Sequence, residues 1–264
     1  MDKPTDEMMS TGFLYVAVGD DYFHEAEKSA RSLRIVSPQA QICLVTNSNL
    51  KSEFFDIILP IEEVNFDGKR GYISKAYGMK VTPYQKTVFV DTDTFFAGSA
   101  DELFKILDYF DLAIAHDYME DSLAIVNERP LDGFRTYNTG VLVFNKSESF
   151  QVFLDSWINC YLRQIDVYWS DQPALMEALL YTQLKTYSLQ TNYNFRFNQF
   201  LTIPNGKVKI LHGRHKSPLE IANILNVSEE HRSWDPKLWS LHGWKEDESF
   251  WKLIRRAVKS VSFQ

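Results

Sequence analysis

The segment with the most chemical content is Val88-Phe89-Val90-Asp91-Thr92-Asp93-Thr94. Asp91 and Asp93 are two positions apart, and in extended chain such side chains project to the same side. Two carboxylates held together repel each other, so the pair favours a divalent cation with hard oxygen ligands. A cation bound there would neutralise a diphosphate, polarise it and help it depart. The competing structural reading has one Asp capping the next segment and the other facing solvent. An Asp-x-Asp string is short and common, so its setting has to decide.

That setting is an alternation of strand-like and helix-like segments. Phe13 to Val18 reads as a buried strand closed by Gly19-Asp20-Asp21. Tyr22 to Leu33 reads as a helix. Ile42 to Val45 and Ile57 to Ile61 are further strands, the second weakened by Pro60. Tyr72 to Val81 reads as a helix, and Lys86 to Val90 as the strand leading into Asp91. Asp101 to Tyr109 reads as a helix with Ser99 as N-cap, and Leu112 to Ala115 as a strand. His116 to Tyr137, with Pro130 and Gly133, looks irregular, and long loops of this kind are often functional. Gly140 to Phe144 is a strand, and Ser147 to Leu162 and Asp171 to Tyr181 are helices. Short strands and loops follow from Thr186. Strand–helix alternation predicts an α/β fold with a mostly parallel central sheet flanked by helices. Ligands of such sheets bind beyond the carboxyl ends of the strands, where Asp91 and Asp93 lie.

Composition narrows the classes. With 264 residues, 45% hydrophobic and 24% charged, the chain has the balance of a globular protein. Acids outnumber bases, 35 to 28, which disfavours general nucleic-acid binding. Cys43 and Cys160 are too few for a disulfide scaffold or a multi-cysteine zinc site, and suit a reducing compartment. No apolar run reaches the roughly 18–20 residues of a membrane span, and the start Met1-Asp2-Lys3-Pro4 does not resemble a signal or transit peptide. The expectation is a cytoplasmic protein. Aromatic residues at 14% would suit either sugar-stacking surfaces or a large aromatic core.

With its neighbours added, the acidic pair resembles that of GT-A-fold glycosyltransferases. The chain is similar in particular to glycosyltransferase family 8, the family of glycogenin and the bacterial lipopolysaccharide galactosyltransferases. The matching segments run in order from about Phe13 to Pro218. Ala17-Val18-Gly19, with Tyr22 after it, stands where that family contacts the nucleoside, and Tyr22 would stack on the base. Lys75 stands where the family keeps a basic residue facing the donor. Tyr137-Asn138-Thr139-Gly140 resembles its Asn-(Ser/Thr)-Gly strand, and Ser170-Asp171-Gln172 its Asp-Gln helix start. Leu211-His212-Gly213-Arg214-His215-Lys216 resembles its late His/Gly/Lys segment. Here His212 directly precedes Gly213, and Lys216 is followed by Ser217-Pro218, whereas the family has two residues between His and Gly and then Lys-Pro-Trp. Aspartyl phosphatases of the haloacid dehalogenase type share a strand ending in Asp-x-Asp. Their following Thr, however, stands one place later than Thr94, and their motif usually opens the chain.

The resemblance implies a nucleotide-diphospho-sugar transferase with Mn²⁺ or Mg²⁺ as cofactor. Asp91, Asp93 and His212 would hold the metal, with His215 as a competing ligand. Ala17, Val18, Gly19, Tyr22, Lys75, Thr92, Gly213 and Lys216 would line the nucleotide-sugar donor, a UDP-sugar in this reading, with Lys216 on the leaving diphosphate. Asn138, Asp171 and Gln172 would serve the reacting sugar. The non-catalytic readings are a plain turn at Asn138-Thr139-Gly140 and helix capping at Ser170-Asp171. The reaction implied moves a hexose to a hydroxyl acceptor (a glycan, a lipid-linked sugar or a small molecule) with retention. A catalytically silent sugar- or nucleotide-binding protein on the same fold is the alternative. A sugar nucleotidyltransferase would want a Gly-rich basic loop after strand one, and Gly19-Asp20-Asp21 is acidic. A GT-A domain is expected over 1–226, with 1–11 as a flexible arm. A C-terminal extension over 227–264 carries Trp234, Trp239, Trp244 and Trp251. Its last stretch, with Lys252, Arg255, Arg256 and Lys259, could touch a membrane surface or dock as an ordinary helix.

Overall fold

The computed structural model describes residues 9–61, 66, 68–117, 123–126, 129–168, 170–199, 202–204, 206–227 and 234. Its strands are β1 (Met9–Ala17), β2 (Ile42–Thr46), β3 (Ile57–Pro60), β4 (Tyr84–Val90), β5 (Thr94–Phe96), β6 (Leu112–His116), β7 (Leu123–Val126), β8 (Arg129–Arg135), β9 (Tyr137–Asn145), β10 (Thr186–Ser188), β11 (Phe195–Arg196) and β12 (Ile210–His212). The α-helices are α1 (Asp20–Val36), α2 (Ser74–Lys80), α3 (Glu148–Arg163), α4 (Gln172–Tyr181) and α5 (Pro218–Leu225).

A seven-stranded sheet runs in the order β10-β6-β9-β4-β1-β2-β3. Every neighbouring pair is parallel except those made by β9, which runs against both β4 and β6. The central segments Phe13–Ala17, Ile42–Val45 and Val88–Val90 read as unbroken apolar runs because both faces are covered. Successive side chains of a strand point to opposite faces. Leu14, Val16, Cys43, Val45, Phe89, Leu142 and Phe144 accordingly pack with Met79 of α2, Phe153 and Trp157 of α3 and Leu175 of α4. Phe13, Tyr15, Leu44, Val88, Val90 and Val143 pack on the other face with Ala26, Ala30 and Leu33 of α1. This is the three-layer α/β architecture that the alternation implies.

Several boundaries differ from the sequence reading. β1 begins at Met9, so residues 9–11 of the expected arm belong to the sheet, and residues 1–8 lie outside the described residues. The helix expected over 72–81 is a 3₁₀ segment, Gly68–Ile73, followed by α2. Asp101–Asp108 is also 3₁₀. It is flanked by Ala100, while the Ser99 hydroxyl accepts from the Asp101 N–H at 3.3 Å. Pro60 is tolerated because β3 is the edge of the sheet. The stretch expected to be irregular contains an antiparallel pair, β7 with β8. Apart from Val227 and Trp234, the extension over 227–264 lies outside the described residues.

The reversal of β9 matters for function. It places the start of β9 beside the end of β4, and the Asp91 N–H donates to the Gly140 carbonyl at 2.8 Å. A second sheet, β11-β12-β5, pairs His212 with Thr94 in antiparallel register. Its own apolar cluster comprises Phe195, Phe197, Val208, Leu211, Ile221, Ala222, Leu225 and Trp234.

Candidate active site

Asp91 and Asp93 lie in a tight turn after β4 rather than in extended chain. The Thr94 N–H and hydroxyl both donate to the Asp91 carbonyl, at 3.3 and 2.8 Å. The turn sends the Thr92 hydroxyl away to Glu25 of α1 and leaves both carboxylates facing His212. Pairing of β12 with β5 supplies that imidazole, and the Gly213 N–H locks the junction by donating to the Asp93 carbonyl at 2.9 Å. His212 Nε2 stands 3.3 Å from Asp93 Oδ1 and 3.7 Å from Asp91 Oδ2. One donor atom from each of the three residues lies within 4.8 Å of the others. Two carboxylate oxygens and an imidazole nitrogen suit a borderline divalent cation such as Mn²⁺. The three sequence-predicted ligands are thus brought together and fit the metal.

The ring is tightly housed. A Cβ on Gly140 would fall 2.0 Å from His212 Cε1, so glycine is required where β9 passes the imidazole. His212 Nδ1 meets Asn194 Oδ1 at 2.8 Å. Behind it, Asn194 Nδ2 donates to Asn138 Oδ1 at 2.8 Å, and Asn138 Nδ2 donates to Asp117 Oδ2 at 3.2 Å. Asn138 is only 1% exposed, and its amide is taken up by this network and by the Gly140 N–H. Its amide is thus linked through Asn194 to His212.

Lys75 stands on the other side of the pair. α2 can approach β1 closely because Gly78 faces Val16, where a Cβ would come within 2.3 Å of Cγ2. Lys75 Nζ lies 2.8 and 3.0 Å from the two Asp91 oxygens, 3.3 Å from Thr139 Oγ1 and 3.7 Å from Asp171 Oδ2. Burial works against its ammonium, but Asp171, Asp91 and Asp93 outweigh burial and hold its pKa above the ordinary lysine value. Burial dominates at Asp171, and the nearby Asp91 adds to it, so its carboxyl is held above the usual range despite Lys75. Asp93 goes the other way. Burial would raise its pKa, but the hydrogen bond and charge of His212, with Arg214 and Lys75, hold it well below the carboxylate range. Among the described residues, Asp171 Oδ2 and Gln172 Oε1 are buried without a hydrogen-bond partner, which leaves two acceptors for a ligand's hydroxyls. Asp171 is the N-terminal flank of α4 without capping it through its side chain.

Of the remaining candidates, Ala17 is buried, Val18 and Gly19 are half-buried and Tyr22 is 49% exposed. Gly19 turns out of β1 at a positive φ of 90°, and its N–H donates to Asn47 Oδ1 at 2.7 Å. His215 is not part of the triad. It is exposed, and its Nδ1 accepts from the Ser217 N–H at 2.9 Å. Lys216 is exposed. The cation beside Asp93 is Arg214, at 3.8 Å, held by Glu25 at 2.7 and 3.0 Å and set over the Tyr22 ring at 5.9 Å. Sequence reasoning missed Arg214, Glu25 and Asn194. Arg214 sits inside the His/Gly/Lys segment and could have been weighed against Lys216. No spacing rule points to Glu25 or Asn194.

The fold is that of GT-A glycosyltransferases. The chain is similar to the glycosyltransferase GlyE of Streptococcus pneumoniae TIGR4, with a TM-score of 0.57 at 15% identity over 96% of this chain. It is equally similar to the apo form of GlyE, at 0.58 and 16% identity. In both comparisons it spans 64% of the GlyE chain. It is also similar to the galactosyltransferase LgtC solved with donor and acceptor sugar analogues, at 0.50 and 14% identity over 78% of this chain and 88% of LgtC. No protein-family model matches the sequence, and no curated protein matches it either.

Proposed function

We propose that the chain is a metal-dependent glycosyltransferase that moves a hexose from a nucleotide-diphosphate sugar, a UDP-sugar, to a hydroxyl acceptor. The observation that carries this reading is the convergence of Asp91, Asp93 and His212 at the carboxyl end of β4, with Lys75 and Asp171 beside them. The fold's likeness to GlyE and LgtC supports it. A divalent cation held by the triad supplies charge neutralisation for the departing diphosphate. The chain's own groups do the rest. Tyr22, half exposed beyond β1, offers its ring to the base, and the Ala17-Val18-Gly19 turn lines the nucleoside. Asp171 and Gln172 accept hydrogen bonds from sugar hydroxyls. Thr92 and Gly213 hold the turn and the strand junction that aim the metal ligands. Arg214, freed from Glu25, places its guanidinium on the diphosphate beside or in place of Lys216.

Retention rests on the resemblance to glycosyltransferase family 8. Asp171, 3% exposed and within ion-pair distance of Lys75, is read as a sugar-hydroxyl partner rather than a nucleophile. The departing phosphate would then assist attack on the same face. The test is donor hydrolysis and transfer with Mn²⁺ across a panel of nucleotide sugars. EDTA, Asp91→Asn and Asp93→Asn should each lower turnover at least about a hundredfold, the several kcal/mol a bound cation contributes. Full activity under any of these conditions would remove the metal mechanism. The direct His212-Gly213 junction favours one second reading, a silent binding protein. UDP and Mn²⁺ binding without turnover of any donor would select it.

A further inference from the structure

Behind the triad, the structure shows a file of buried polar side chains whose hydrogen bonds run in one direction. At one end Asp117, 3% exposed, accepts on both oxygens: from Gln199 Nε2 at 2.8 Å and from Asn138 Nδ2 at 3.2 Å. Asn138 must therefore turn its amide nitrogen toward Asp117 and its oxygen away. The backbone enforces the same choice, because the Gly140 N–H, which can only donate, points at Asn138 Oδ1 from 3.0 Å. That oxygen in turn faces Asn194, so Asn194 presents its nitrogen there, at 2.8 Å. Only the oxygen of Asn194 is then left for the imidazole, 2.8 Å from His212 Nδ1. An amide oxygen only accepts, so Nδ1 must carry a proton, and in the neutral ring it is Nε2 that keeps the lone pair, on the side of Asp91 and Asp93.

We infer that Asn194 is a positioning residue that fixes the tautomer and orientation of His212 for metal binding, and that Asp117, about three side chains away, sets the sense of the whole file. The inference rests on the metal reading of the triad. It adds that the neutral imidazole is committed to its ligand tautomer before a cation arrives. Asp117 also lies at the start of the stretch His116 to Tyr137, whose length in the sequence suggested a functional loop. The file therefore joins the base of that region to a metal ligand.

The test combines metal affinity with direct observation of the tautomer. Histidine-¹⁵N-labelled protein at pH 9 is read by long-range ¹H–¹⁵N correlation, and the His212 signals are assigned by their loss in His212→Gln. Wild type should show a protonated Nδ1 and a bare Nε2. Calorimetry with Mn²⁺ should show affinity falling about 10–100-fold in Asn194→Ala, the usual cost of removing an outer-shell partner. The loss in Asp117→Asn, which keeps shape but removes the obligate acceptor, should be several-fold, with the protonated-Nε2 form growing in its spectrum. A change in packing alone would lower stability without moving the tautomer ratio. A protonated Nε2 in wild type would overturn the inference, as would a folded Asn194→Ala that binds Mn²⁺ within twofold of wild type. Should Asn194→Ala not fold, the wild-type spectrum and Asp117→Asn decide. If wild type itself binds no Mn²⁺, the functional reading fails, while the spectrum still judges the tautomer.

Discussion

At Gly140 the backbone of β9 and the imidazole of His212 compete for the same space. An added methyl would sit 2.0, 2.4 and 2.8 Å from three atoms of the ring, and neither the central strand nor the buried ring has room to retreat. Gly140→Ala should therefore cost about 1–3 kcal/mol, as overpacking does, and should also tip His212 off its line to Asp91 and Asp93. Urea unfolding and Mn²⁺ calorimetry on the same protein separate the two effects. A destabilised variant with wild-type Mn²⁺ affinity would mean that His212 is not a ligand. The residues of this site differ in how readable they were. Asp91 and Asp93 announce themselves by type and spacing at a strand end. His212 needed the family resemblance, because its link to them is a strand pairing across more than a hundred residues. Asn194 carries no local signal, since only the pairing of β12 and the fold of 191–196 bring it to the ring.

Among the elements, the strands buried on both faces were the most legible. Phe13–Val18, Ile42–Val45, Val88–Val90 and Gly140–Phe144 carry no polar side chain other than Tyr15, because helices cover both sides of the sheet. Short elements were not legible. β5, β11 and β12 have two or three residues each, too few to show a period, yet they carry the third ligand. β7 and β8 hid behind Pro130 and Gly133, which read as loop punctuation. Caps were no more legible: Ser99, read as the N-cap of 101–109, stands one residue before the Ala100 flank, and Ser147 was read only as a helix's first residue. Ser147 is the N-cap of α3, and its hydroxyl accepts from the Phe150 N–H at 3.2 Å. Ser147→Ala should lower stability by about 1 kcal/mol and leave Mn²⁺ affinity unchanged, because Ser147 starts α3 well before Trp157, whose indole N–H donates to the Asp171 carbonyl at 3.0 Å. Denaturant midpoints would check the first part. A change in metal affinity would reveal coupling through α3 that the geometry does not suggest.

At the scale of the molecule, the metal site is assembled where two sheets meet. The large sheet contributes Asp91 and its buried support, and the small sheet contributes His212. Among the described residues, the small sheet is backed by a cluster of residues from β11, β12, α5 and their neighbours Phe197 and Val208, joined by Trp234. Trp234 is 1% exposed, its indole N–H donates to the Phe197 carbonyl, and its backbone exchanges hydrogen bonds with Thr202 at 3.0 and 2.7 Å. Trp234, within the extension expected over 227–264, thus belongs to the same buried cluster as Leu211, the neighbour of His212. Burying a tryptophan there removes a large apolar surface from water, and truncating it leaves a cavity beside Leu211, the neighbour of His212. Trp234→Ala should cost about 3–5 kcal/mol, the range for large aromatic truncations, and should weaken Mn²⁺ binding because the strand holding His212 loses its backing. Trp234→Phe keeps most of the volume and loses only the indole hydrogen bond, so it should recover most of the stability. Thermal unfolding of the two variants, with Mn²⁺ titration of each, measures both quantities. A Trp234→Ala protein as stable as wild type would show that the small sheet stands without the C-terminal segment, and the boundary at residue 226 would then be a true one.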